Sequence, residues 1–146
     1  MTPKFLLEKI VKLAKRKKRY KGLRGRGQEW ERLAERHLKS AGYEILERNY
    51  VTRTGEIDFV AKEAGTLCFV EVKGRRGTAY GHPAEAVTQE KRRRIFRSAE
   101  AYLMRHRLGA PPCRFDVVTI LGADSQPEIS ILRDAFRGPV SVRPRR

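Results

Sequence analysis

Residues 55–73 constrain this chain more than any other stretch, because they spell a β-hairpin with charged groups at fixed places. Gly55–Lys62 and Thr66–Lys73 both read as strands, and Ala64-Gly65 between them is a tight-turn signal. Side chains alternate along a strand, so Glu71 and Lys73 share one face while Cys68, Val70 and Val72 point the other way. On the preceding strand Glu56 and Asp58 share a face, with Ile57 and Phe59 opposite. The turn sets the register. A two-residue loop pairs Glu63 with Thr66, and a four-residue loop over 63–66 gives the same alignment. Either way Asp58 falls opposite Glu71, and Glu56 opposite Lys73.

Two carboxylates directly across a hairpin stand roughly 4.5–5.5 Å apart at Cβ, and like charges there destabilise the sheet unless something neutralises them. A hard divalent cation does so, since Mg²⁺ takes oxygen ligands from one or two carboxylates. The adjacent Lys73 would then stabilise negative charge developing on a phosphate, or position an attacking water. These are the parts of a metal-assisted phosphodiester hydrolase. The plainer reading of the same residues is a solvated face with a cross-strand Glu56–Lys73 ion pair.

Around the hairpin the pattern is mixed. Gln28–Ser40 is helical, with Trp30, Leu33, Ala34, His37 and Leu38 on one stripe and Gly42 as its stop. Tyr43–Tyr50 reads as a strand. A long helix is expected from about Ala84 to Arg107, closed by Pro111-Pro112, followed by strands at Arg114–Leu121 and Glu128–Leu132. Helix, three strands, helix, strands is an α/β domain with helices packed on a central sheet. Cys68 and Cys113 are too few for a disulfide framework and match no zinc spacing, so they read as reduced, buried residues of a cytoplasmic protein.

Charge divides the chain. Of a net +16, residues 1–26 carry +10, residues 133–146 carry +4, and residues 27–132 only +2. The expected organisation is a basic extension and linker over 1–26, an α/β domain over 27–132 and a basic tail over 133–146. Residues 3–20 read as a cationic amphipathic helix, and the glycines and arginines that follow, Arg24 and Arg26 among them, as a basic linker. A polyanion is the default partner for such ends, and nucleic acid the commonest one. No apolar run reaches the length of a membrane span, so stable membrane insertion is not expected. Glu8, Lys9 and Lys12 break the apolar part that a secretory signal would need.

The stretches Gly55-Glu56-Ile57-Asp58 and Phe69-Val70-Glu71-Val72-Lys73-Gly74-Arg75 resemble the signature of the YraN-like family of uncharacterised bacterial proteins. The likeness continues through Lys91, Ile95, Ala99, Tyr102-Leu103 and Arg114-Phe115-Asp116-Val117-Val118, and covers about Gly27 to Ile120. That family is in turn similar to the PD-(D/E)xK nucleases, which have the restriction-endonuclease-like fold: a mixed central sheet flanked by helices. The resemblance implies that Asp58 and Glu71 are metal ligands for Mg²⁺ or Mn²⁺ and that Lys73 is catalytic. It also implies a further acidic residue on the first helix. Glu29, Glu31 and Glu35 are the candidates there, and the family pattern selects Glu31. Two positions depart from it: Trp30 stands where the family usually has glycine, and Ile57 where the superfamily has proline.

Other residues are candidates for contact with nucleic acid. Lys91, Arg92, Arg93 and Arg94 form a basic block on the second helix, suited to phosphates or equally to a solvated face. Gln89 and Lys91 are placed near the site by resemblance. Arg75 and Arg76, with Tyr80 and His82, belong to a loop leaving the Glu-x-Lys strand. Asp116 reads as a structural pairing, with Arg114 or a helix arginine. The leading expectation is a metal-dependent nuclease acting on DNA rather than RNA, in repair, recombination or processing. Its rivals are a non-catalytic nucleic-acid-binding protein on the same scaffold, and a membrane-surface or ribosome-associated basic protein carried by residues 3–20. A homodimer is a further expectation, since nucleases of this kind often act in pairs.

Overall fold

Alternating and continuous apolar runs separate the described residues into seven elements. In the computed structural model, which describes residues 26–75, 87–122 and 126–138, these are α1 (Arg26–Ser40), β1 (Glu44–Val51), β2 (Glu56–Glu63), β3 (Thr66–Arg75), α2 (Gln89–Arg105), β4 (Cys113–Leu121) and β5 (Glu128–Phe136). The strands form one sheet in chain order, β1-β2-β3-β4-β5. All neighbours are antiparallel except β3 and β4, which are parallel. Parallel neighbours need a crossover, and α2 lies within it.

The helices cover opposite faces. Ala34 and Leu38 of α1 join Phe59, Ala61, Cys68, Val70, Val118 and Ile120 in one cluster. On the other face Ile95, Ala99, Tyr102 and Leu103 of α2 pack with Val60, Leu67, Phe69, Phe115 and Val117. The central strands are therefore buried on both sides, which is why β3 and β4 read as nearly unbroken apolar runs. Any charged group in them is conspicuous, and four buried acids are found in this sheet: Glu47, Asp58, Glu71 and Asp116. Among the described residues no helix is long and apolar enough to cross a membrane.

The mixed α/β order is as expected from sequence, with differences at the ends of elements. The second helix begins at Gln89, because Thr88 (φ −61°, ψ 157°) caps it and accepts the Lys91 N–H at 3.2 Å. It ends at Arg105, where Arg107 and Gly109 turn the chain with positive φ. The last strand runs four residues past Leu132, to Phe136. Charged Arg133 and Asp134 hid this extension, but Phe136 stacks on Phe115 at 5.3 Å and meets Phe96 at 5.6 Å. The amphipathic helix expected over 3–20, the linker that follows it, the basic loop from residue 76 and the end of the C-terminal tail lie outside the described residues.

Asp116 is fully buried and fully occupied. Its carboxylate accepts the Tyr43 hydroxyl at 2.7 Å, Arg114 Nε at 3.0 and 3.1 Å, and the Asp134 N–H at 2.9 Å. The last bond falls at the register shift between β4 and β5, so the side chain repairs a gap in the ladder. Arg133 and Arg114 in turn share Glu63 at the hairpin turn, Arg133 through bonds of 2.7 Å. The partner is thus Arg114 and not a helix arginine. Both cysteines are free and buried, and burial pushes the Cys113 thiol up to about 11. Asp116→Ala strips three donors of their acceptor. It is expected to cost about 3 kcal/mol or more, read as a lower urea midpoint with the slope unchanged.

Candidate functional site

The hairpin register is the expected one from Glu63↔Thr66 through Phe59↔Val70, and there the ladder stops. At the next position Asp58 Oδ2 accepts the Val72 N–H at 2.8 Å, standing in for a main-chain carbonyl. Its carboxylate therefore lies between the two strands rather than above one face. Simple alternation fails at the same place. Phe59 belongs to the α1-side cluster, whereas Ile57 joins Val60 in the α2-side cluster instead of sharing Phe59's face as alternation predicts. The cause extends into β1, where Asn49 adopts a left-handed φ of 50° between Arg48, paired with Phe59, and Tyr50, paired with Ile57. A left-handed residue within a strand acts like a bulge and re-aims its neighbours.

Asp58 and Glu71 converge, as the register requires. Both are buried, at 9% and 3% exposure. Burial pushes the Asp58 carboxyl well above the usual carboxylate range, and the Glu71 charge adds to it; the Val72 N–H pulls back, and the two acids are close enough to share a hydrogen bond. Glu31, at 4% exposure, arrives from α1 and accepts Asn49 Nδ2 at 3.3 Å. Burial raises its carboxyl too, against the lowering pull of the Asn49 bond, and the charges of Glu56 and Glu71 raise it further. Of the three helix glutamates, Glu31 is the one brought to this site. Glu35 is spent on Arg48 and on Lys39 at 3.2 Å, and Glu29 is exposed.

Two lysines face this acidic centre. Lys91 Nζ forms an ion pair with Glu71 Oε1, and Lys73 Nζ lies 3.9 Å from the same oxygen. Lys73 is thus directed to Glu71 rather than to the cross-strand pair with Glu56. Burial, then the charge of Lys91, holds the Lys73 ammonium below the ordinary lysine range. Burial acts the same way on Lys91, but its hydrogen bond and ion pair with Glu71 outweigh it and hold that ammonium above the range. Perturbation of neighbouring groups in opposite senses is a mark of functional sites.

A metal fits this donor set in kind. The donors are oxygens, suited to a hard cation, and the Asp58–Glu71 repulsion is what such a cation relieves. Asn49 Oδ1, on the amide that holds Glu31, is buried without a hydrogen-bond partner. As arranged here, no group of three or more His, Cys, Asp or Glu side chains among the described residues forms a ready cage. The convergent pair is Asp58 and Glu71, with Glu31 felt through its charge.

The basic block on α2 divides. Lys91 is on Glu71. Arg92 is half-buried, donating to the Val87 carbonyl at 3.1 Å and lying 5.2 Å over the Phe136 ring. Arg94 bonds Glu90 at 2.6 Å, and Arg93 is exposed. Gln89 is also exposed. Arg26 opens α1 and Arg75 ends β3, while Arg24, Arg76, Tyr80 and His82 lie outside the described residues. Trp30, the departure from the family's glycine, is accommodated by another glycine: a Cβ at Gly74 would come within 2.0 Å of its ring. Asn49 is the residue that sequence reasoning missed. Its signal was an amide, tolerant of left-handed backbone, inside an otherwise strand-like run.

The raised Asp58 carboxyl has a sign that can be tested. Stability from the protonated form is complete below the unfolded value of 3.8 and is lost as pH rises through the raised folded value. Asn at position 58 keeps an acceptor for Val72 N–H and offers Glu71 a donor. Asp58→Asn should therefore melt higher than wild type at pH 8 in a chelator, by about 3 °C, the effect of ~1 kcal/mol in a domain of this size. The advantage should shrink toward pH 4, and calorimetry should show no Mn²⁺ binding by the variant.

Comparison with known proteins places this geometry in a family. The model of "Uncharacterised protein family UPF0102" matches residues 30–120, which include Glu31, Asn49, Asp58, Glu71, Lys73 and Lys91. The chain is 44% identical to a UPF0102 protein of Anaeromyxobacter sp. (strain Fw109-5) over 115 residues, covering 79% of this chain and 86% of that one. It is 47% identical to a UPF0102 protein of Symbiobacterium thermophilum over 111 residues, covering 75% and 94%. A UPF0102 protein of Rhodococcus opacus is 50% identical, also over 111 residues, with 75% and 94% covered. The chain belongs to the UPF0102 (YraN) family.

Proposed function

We propose that this chain is a Mg²⁺- or Mn²⁺-dependent nuclease of the restriction-endonuclease-like kind, hydrolysing phosphodiester bonds in DNA. One observation carries the reading: two buried carboxylates, Asp58 and Glu71, are pressed together where β2 and β3 part, with two ammoniums beside them. A fold that served stability alone gains nothing from this repulsion.

Asp58 and Glu71 would hold the cation, with Glu31 as an outer or additional ligand. Bound there, a hard divalent cation supplies positive charge against the phosphoryl oxygens. Lys73, with its ammonium held below the usual range, releases its proton more readily than an exposed lysine. In its neutral form it takes the proton of a water attacking phosphorus, as the P–O bond to the leaving oxygen breaks. Asn49 keeps Glu31 in place through its amide.

The discriminating experiment is Mn²⁺-dependent cleavage of linear, single-stranded, flapped and branched DNAs. Lys73→Ala removes no proposed ligand, so it should lower cleavage by about 10²–10⁴-fold, the usual worth of general acid–base help, and leave DNA affinity nearly unchanged. Wild-type protein that binds these DNAs and cleaves none, with either metal, favours a nucleic-acid-binding module instead.

The cationic ends have a separate role in this proposal, as the part that finds the polyanion. Removing residues 1–26 takes away +10 of the +16. DNA affinity should fall, and its dependence on salt should become shallower, because fewer counterions are released. An unchanged salt slope would assign that segment another task, and binding to anionic vesicles is then the assay.

A further inference from the structure

Lys91 stands where helix chemistry argues against a cation. It is the third residue after the Thr88 cap of α2, in the first turn. Helix N-termini carry partial positive charge, which disfavours an ammonium there. The same position after a Thr cap commonly holds Glu or Gln, reaching back to the cap's own N–H. Lys91 instead sends its side chain across to β3, where Nζ pairs with Glu71 Oε1.

The two partners differ in freedom. Glu71 is 3% exposed on a central strand, whereas the Lys91 side chain is 40% exposed and can turn away about its own bonds. Lys73, 3.9 Å from the same oxygen, is less exposed, at 28%. Glu71 is thus engaged by both ammoniums, Lys91 the more closely, with the Asp58 carboxyl against it from β2.

We propose that Lys91 is an internal counter-cation. It neutralises Glu71 in the cation-free protein, leaves that oxygen when a divalent cation binds Asp58 and Glu71, and is then free to meet a substrate phosphate. The inference rests on the cation site proposed above. A divalent charge and an ammonium on one carboxylate oxygen repel each other, and the mobile, solvent-edge partner is the one that yields. Lys91 thereby offsets part of the acidic charge before the cation arrives, and its departure keeps positive charge from being in excess afterwards. Binding of the cation and release of a phosphate-seeking ammonium become one event.

The test needs no nucleic acid. Mn²⁺ and Mg²⁺ are titrated by calorimetry into the full chain and into Lys91→Met, Lys91→Gln and Lys91→Arg, while the emission of Trp30, the chain's single tryptophan, is followed. Lys91→Met and Lys91→Gln remove the competing charge and leave the main-chain cap bond. Both should bind the cation about 10-fold more tightly, the lower end of what neighbours of metal ligands contribute. Lys91→Arg should bind no more tightly than wild type. The Met variant should melt below wild type in a chelator and recover with Mn²⁺, and Asp58→Asn in either background should abolish the heat of binding. Equal affinity of wild type and both neutral variants overturns the counter-cation and leaves the cation site standing. Absence of binding by every variant overturns the site, and the inference with it.

Discussion

Asp58 accepts the N–H that would otherwise have extended the β2–β3 ladder, and the arrangement of the site follows from that one bond. A main-chain carbonyl at that place would have kept the strands in register and sent the Asp58 side chain to one face. With the carboxylate in the ladder, pairing ends at Phe59↔Val70. Asp58 is then drawn against Glu71, the residue just before its donor. The strain this creates is electrostatic: a carboxyl raised by burial and by its neighbour's charge. Lys91 and Lys73 are where they relieve it in part, both through one oxygen of Glu71.

A second buried aspartate in the same sheet shows what a purely structural solution looks like. Asp116 has no exposure at all, yet it has a tyrosine hydroxyl, a guanidinium and a main-chain N–H on its two oxygens. Its effect is to lock β5 to β4 across a register shift. Asp58 has one main-chain donor and an acidic neighbour. Buried polar groups that are fully satisfied specify a fold, and partly satisfied ones cost stability. The contrast sets Asp116, held by three donors, apart from Asp58, whose side-chain neighbour is another acid.

Much of this was legible in the sequence, for reasons that also mark where legibility ends. The hairpin register followed from a two-residue turn, and so did the approach of Asp58 to Glu71. Pairing of Asp116 with Arg114 needed only a charge two residues away on the same strand face. What strict alternation could not give was the change of face at Ile57. That depends on a left-handed residue in the neighbouring strand, and Asn49 announces it only weakly. The cap at Thr88 and the extra length of β5 were obscured too. Only the second rests on tertiary partners, the Phe96 and Phe115 rings that hold Phe136; the cap is a local bond from the Lys91 N–H, three residues on, and was masked by a helical pattern that runs on past it toward Ala84. The basic block at 91–94 looked uniform because sequence shows charge and not direction. In the fold Lys91, Arg92 and Arg94 have three different partners.

Charge on this molecule acts at two ranges. The net +16 acts at a distance, and beyond the roughly 8 Å Debye length of physiological salt it is largely screened. Inside that range an approaching phosphate in the proposed reaction meets the opposite sign, since Glu31, Asp58 and Glu71 outnumber Lys73 and Lys91. A polyanion drawn in by the cationic ends is therefore repelled at the centre for as long as the acids are uncompensated. The first step of recognition does not need the acids, and they oppose the last one. A cation between Asp58 and Glu71 reverses the sign of the centre without altering the ends. In the proposed function this makes the divalent cation the condition for close approach as well as for chemistry, and it separates binding along the basic ends from engagement at the site.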